Sequence, residues 1–148
     1  MKITQIREKD GVEALSVLDF NLLIEKIKTE IKTRPVTGLR QALHFVLPGE
    51  SCSFAGKLPK VIPAAVFGRV NGVKRMKVYN GIVELTVGPL AGKVEVDLVK
   101  KKAAKLPQTM FAYMGASGNS VKIWTLFTRP DGTLPQTQEE AEIFQAHA

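Results

Sequence analysis

A chain of 148 residues, 45% apolar and 24% charged, fits one globular domain able to bury about two thirds of its unfolded surface. Its lone cysteine, Cys52, excludes an internal disulfide, and no apolar run approaches the roughly 20 residues of a membrane span, since IPAAVFG and MFAYMGA are strand-length. With no secretory leader at the start, the expectation is a cytoplasmic protein, whose net charge of +7 favours an anionic partner such as nucleic acid or nucleotide without requiring one.

MKITQIRE alternates apolar and polar residues at Ile3 and Ile6, which predicts a short edge strand. Asp19 is placed to cap a helix whose apolar positions Phe20, Leu23, Ile24, Ile27 and Ile31 follow the helical period. Pro35 should interrupt that helix, leaving a second from Gly38 to Val46 that Pro48-Gly49 ends. From Gly49 to Pro63 two Pro, two Gly and no sustained period predict an ordered surface loop. AAVFGRV, VKRMKVY and the strand from Ile82 are separated by Asn71-Gly72 and Asn80-Gly81, the strongest two-residue hairpin signal, and read as a three-stranded meander. In its last strand Val83, Leu85 and Val87 should share one face, and Ile82, Glu84 and Thr86 the other.

Gly88-Pro89 stops that strand, and a helix from about Lys93 to Lys105 follows, with Val96, Val99, Ala103 and Leu106 spaced for burial. Its Lys100, Lys101, Lys102 and Lys105 suit a helix C-terminus, where the macrodipole favours cations. MFAYMGA and VKIWTLFTR form strands around the ASGNS turn, RPDGTLP is a turn, and Thr137 with Glu140 makes a capping box for a last helix carrying Ala141, Phe144 and Ala148. The abrupt end of that helix suggests a piece of a longer protein. The whole reads as an α+β fold: a mostly antiparallel sheet containing a β-α-β unit, Tyr79 to Trp124, with helices packed on one face.

Several chemistries fail on residue type. GESCSFAGKL lacks the first glycine of a phosphate loop and has Leu58 where a hydroxyl would hold magnesium, and GASGNS lies between strands instead of opening a helix. His44 and His147 have no Cys or carboxylate at ligand spacing, so neither a zinc site nor a histidine-based triad is expected. A two-metal site needs paired carboxylates, and the face carrying Ile82, Glu84 and Thr86 offers one. What remains is cationic: Lys57, Lys60, Arg69, Lys74, Arg75 and Lys77 on and before the hairpin, and Lys122 after a Ser/Gly turn whose N–H groups suit a phosphate. Phe67, Tyr79 and Trp124 are interleaved as base-stacking candidates, although core packing is the expected use of Phe67 and Trp124.

The run from YNGIVELTVGPLAG through LPQTMFAYMGASGNSVKIWTLFTRPDGTLPQTQEEAEIFQAHA, preceded by KLPKVIPAAVFG, resembles the VirE-type N-terminal domain family of Bacteroides-like mobile elements. The likeness covers Leu58 to Ala148 well and the first 57 residues loosely, and LPQT, SGxSVKI, DGTLPQ and AExFxAHA are its most specific parts. It implies a fold similar to the archaeo-eukaryotic primase-polymerase core, ahead of a primase-helicase ATPase module in a replication protein. By position, the family's metal-binding acidic motif falls on Thr86 and Gly88, and its phosphate motif on Ser117, Gly118, Ser120 and Lys122. Thr86 and Gly88 carry no carboxylate, Asn119 stands where Arg is common, and Gln145 where His is common.

The leading expectation is therefore a catalytically inactive primase-like domain that binds single-stranded nucleic acid or nucleotide phosphate through Ser117, Gly118, Ser120 and Lys122 and through Arg69, Lys74, Arg75 and Lys77. No cofactor is expected, with Mg or Mn entering only if the parent protein is active. Two alternatives stand beside it: an active primase or polymerase completed by residues outside this chain, and a structural module docking onto the ATPase neighbour.

Overall fold

A computed structural model of the chain describes residues 1–30, 34–43 and 58–148. Strands β1 (Lys2–Lys9) and β2 (Val12–Asp19) form a hairpin around Asp10 and Gly11, both with positive φ, 53° and 75°, as a tight primed turn requires. β3 (Lys60–Ile62) pairs with the other side of β1, giving the order β2-β1-β3. The predicted edge strand is thus central, and Ile3, Thr4, Gln5 and Ile6 are all buried because neighbours cover both sides.

Asp19 Oδ1 accepts the backbone N–H of Asn21 at 2.9 Å, the expected cap for α1 (Phe20–Glu30). The second helix, α2 (Arg34–Ala42), begins four residues before the predicted Gly38, and Pro35 sits in its first turn, where a missing N–H costs nothing. The predicted end at Val46, the Pro48-Gly49 stop and Ile31 lie outside the described residues, as does most of the predicted Gly49–Pro63 loop; the tail of that loop is β3.

Asn71 (φ 50°) and Gly72 (φ 79°) close the predicted hairpin between β4 (Ala65–Val70) and β5 (Val73–Tyr79). The side chain of Thr4, fully buried, ties β1 to this hairpin: its Oγ1 donates to Ala65 O at 3.0 Å and accepts from Phe67 N at 2.7 Å. The Asn80-Gly81 dipeptide does not make a second hairpin. Asn80 Nδ2 donates to Lys2 O at 2.8 Å and Pro63 O at 3.0 Å, and the chain passes into a different sheet, so the predicted meander breaks after two strands.

That next sheet has the order β6-β8-β7, with β6 (Ile82–Val87) and β7 (Thr109–Met114) both antiparallel to β8 (Val121–Leu126) and hence parallel to each other. Together with α3 (Lys93–Ala103) this is the predicted β-α-β unit, split by insertion of β8 between its strands. Val121 and Ile123 point to α3, where they pack with Val96 and Ala103, while Trp124 points the other way, to Ile3, Leu18, Leu23 and Ile82. Alternation along one strand therefore places α1 and α3 on opposite faces, correcting the expectation that the helices share one. The face pattern of β6 is as predicted, but α3 rests chiefly on β7 and β8, which leaves Leu85 and Val87 exposed.

Leu106, predicted buried, is 56% exposed, because Lys105 and Leu106 N–H groups bond to Lys102 and Ala103 O and the tighter turn rotates it off the buried stripe. In α4 (Gln138–His147) the capping box is half as expected: Thr137 Oγ1 accepts from Glu140 N at 3.2 Å, while Glu140 Oε2 reaches Gln136 N and Arg129. Ala141 and Phe144 pack this helix against Ala65 and Tyr79 of the β4–β5 hairpin.

Candidate functional site

On β8, Lys122 stands opposite Thr86 of β6 and Tyr113 of β7, and Trp124 stands opposite Glu84 and Phe111. The pleat turns Lys122 and Trp124 to the same side, and the carboxylate of Glu84 lies between their polar ends. Lys122 Nζ donates to Glu84 Oε1 at 2.5 Å and Trp124 Nε1 donates to Glu84 Oε2 at 2.8 Å. Both oxygens of the carboxylate are thus engaged, in a pair whose side chains are only 33% and 28% exposed. Burial, and then the charge of Glu84, raise the Tyr113 hydroxyl well above the ordinary tyrosine range.

Above this network lies a cleft of about 390 Å³. Leu23 and Ile27 of α1, Val36 of α2 and Val61 of β3 supply apolar walls, and Tyr113, Met114, Glu84 and Lys122 the sheet side. Two more cations line it, Arg40 from α2 and Lys60 from β3, so among the described lining residues three positive groups face one carboxylate. Sequence reading singled out Lys60 only as part of the basic run and missed Arg40. The anchor of Arg40 is 76 residues away: its Nε donates to Ala116 O at 3.0 Å, and its guanidinium lies against Gly118. Such a contact leaves no local pattern.

The ASGNS turn is internally satisfied. Gly115 N donates to Ser120 O, Gly118 takes φ 83°, and Ser117 Oγ donates to Asn119 Oδ1 at 2.6 Å and lies 3.3 Å from Ser120 Oγ. Of the predicted phosphate motif, Lys122 lines the cleft directly, while Ser117, Gly118 and Ser120 stand behind Gly115 and Ala116, which do. Thr86 is exposed on β6, the edge neighbour of Lys122. Gly88 is pressed on the turn: a Cβ there would lie 2.9 Å from Ser120 Cβ and 3.0 Å from Asn119 O. An acidic side chain at 88 would have to displace the turn.

The basic hairpin is a separate surface, and the cleft lining includes none of Arg69, Lys74, Arg75 or Lys77. Arg69 donates to Gly72 O and Glu13 O, Lys74 Nζ sits 5.2 Å from the Phe67 ring centroid, Lys77 lays its stem over Gly68, and Arg75 is exposed. Lys57 and His44 lie outside the described residues. Tyr79 and Trp124 are buried, the former bonded to Gln145 Oε1 at 2.6 Å, so base stacking is not open to either; among the described lining residues Tyr113 is the aromatic that faces the cleft. Phe67 is half-buried in the cluster under the hairpin.

A divalent metal pair does not fit this strand. Thr86 and Gly88 supply no carboxylate, Glu84 is already taken by Lys122 and Trp124, and among the described residues no three His, Cys, Asp or Glu side chains converge. No helix among the described residues is long and apolar enough to cross a membrane.

The family described as BT4734-like, N-terminal domain, matches residues 53–148. No curated protein matches, and no solved structure matches.

Proposed function

The chain belongs to the BT4734-like, N-terminal domain family, and from that premise and the geometry of the cleft we propose that it binds single-stranded nucleic acid or a nucleotide without catalysing phosphoryl transfer. The observation that carries this reading is the cleft itself, in which, among the described lining residues, Arg40, Lys60 and Lys122 surround an apolar wall and Tyr113 against one carboxylate, that of Glu84. Cations at the rim of an apolar slot suit a ligand with a charged phosphate and a flat, weakly polar base. Lys122 is held by Glu84 in the unliganded state, so a phosphate has to compete with that carboxylate, and Arg40 and Lys60 make the first contacts. The β4–β5 ribbon, with Arg69, Lys74, Arg75 and Lys77, is a second and separate basic surface that a longer strand could also meet.

Within this reading the domain is a primase-like module of a mobile-element replication protein, set ahead of an ATPase module, as the resemblance to the VirE-type family implies. No cofactor is part of this reading, with magnesium or manganese entering only if the parent protein is active, because Thr86 and Gly88 stand where the resemblance places the acidic motif. One observation favours a second reading, a structural docking module: Lys122, the expected phosphate ligand, is already satisfied by Glu84. Titration of a short oligothymidylate at rising salt separates the two. Binding at low salt that weakens as salt rises supports the first reading, and no binding at low salt supports the second.

A further inference from the structure

Away from that cleft, β7 is paired on one side only among the described residues, and α3 runs beside it. Gly115 N bonds to Ser120 O, so alternation makes Ala112 and Met114 the residues of β7 whose N–H and C=O groups turn away from β8. Between this edge and the flank of α3 lies a groove of about 490 Å³, lined by Asp97, Lys100, Lys101 and Ala104 on the helix and by Thr109 to Ala112 on the strand. Met110 is 39% exposed there, and the hydroxyl of Thr109 is buried with no hydrogen-bond partner among the described residues.

We propose that this groove takes an extended, acidic peptide of another protein as an added strand beside β7. An edge strand offers a row of unpaired backbone groups that another chain's backbone matches, and a neighbouring helix fixes the direction of approach. The helix flank sets the sign of the partner's charge: Lys100 and Lys101 border the groove against one Asp97, and Lys102 follows on the same last turn. A second copy of the chain is a poor occupant, because edge-to-edge pairing brings the same lysines together. Nucleic acid is poor as well, because it has no strand backbone to complete the ladder.

The test uses the full 148-residue chain and a fluorescent peptide of alternating valine and glutamate, with an alternating valine and lysine peptide as the control. The acidic peptide binds about tenfold or more tightly than the basic one, and Lys100→Glu with Lys101→Glu reverses that preference. On binding, the Ala112 amide becomes protected from hydrogen exchange, and Ala112→Pro, which removes that N–H on an edge where proline is tolerated, abolishes the interaction. Equal binding of the two peptides, no binding of either, or binding without protection of Ala112 overturns the proposal. So does displacement of the acidic peptide by oligothymidylate when Lys122→Met leaves that displacement intact, since the groove would then be a nucleic-acid surface. Should Ala112→Pro fail to fold, the charge reversal and the exchange measurement still decide.

Discussion

Two basic regions of this molecule look alike in sequence and differ in physics. Lys122 sits on the middle strand of a sheet, two-thirds buried, and its charge is answered by Glu84, whose other oxygen holds the Trp124 indole. On the β4–β5 hairpin, Lys74, Arg75 and Lys77 are exposed, and the contacts they make are to a ring face and a glycine. Partial burial and a carboxylate partner tie up the first lysine, so an incoming anion has to displace that pair. Exposure makes the others available to a polyanion at little cost to stability. A lysine near a Ser/Gly turn is thus not in itself a free phosphate ligand.

The largest way to break the comparison is Trp124→Ala. It empties the centre of the cluster that joins both three-stranded sheets to α1 and strips Glu84 of a donor, and urea unfolding should show a loss of about 3–5 kcal/mol. Gly88→Asp comes next. Because Ser120 and Asn119 already crowd that position, it should cost about 1–3 kcal/mol in the same assay, and calorimetry should detect no gain of manganese binding. Restored metal binding would show that the strand accepts the acid the family resemblance expects there.

Glu84→Gln sharpens the contrast. With an amide still able to accept from Trp124, the loss of the ion pair should cost about 1 kcal/mol, while Lys122, released from its carboxylate, should tighten oligothymidylate binding severalfold. On the hairpin, Arg75→Ala should leave stability within about 0.5 kcal/mol, and it should lower the salt slope of oligonucleotide binding by about 0.7 if that arginine meets a phosphate.

The last effect is in pH and shows only in strongly alkaline solution. Burial raises Tyr79 and, more strongly, Tyr113 above their ordinary value of 10.0. A folded pKa above the unfolded one gives stability that is full below about pH 10 and is lost as pH rises beyond it. Unfolding midpoints measured across that window should fall, and Tyr113→Phe should flatten much of the slope.

The parts legible in the sequence were those with local causes. The Asn71-Gly72 turn, the alternation of β6, the period of α3 and the Thr137 cap each depend on residues a few positions apart. β2 escaped notice although Asp10-Gly11 announces the turn before it, because VEALSVLD lacks strict alternation. Asn80-Gly81 carried the same signal as Asn71-Gly72, yet the Asn80 side chain is spent on Lys2 and Pro63. Sheet partners and the reach of Arg40 to the ASGNS turn are long-range, set by packing that no short window of sequence contains. The pairing of Lys122 is intermediate: its register with β6 follows from the split β-α-β unit, but the diagonal to Glu84 emerges only with the sheet assembled.

The most direct measurement is the affinity of a short oligothymidylate for the wild-type chain, Lys122→Met and Glu84→Gln across a salt series. The account predicts binding at low salt that weakens as salt rises, weaker binding by Lys122→Met and tighter binding by Glu84→Gln. Three identical curves, or no binding at low salt, would contradict it and leave the Glu84–Lys122 pair as a purely structural feature of the sheet.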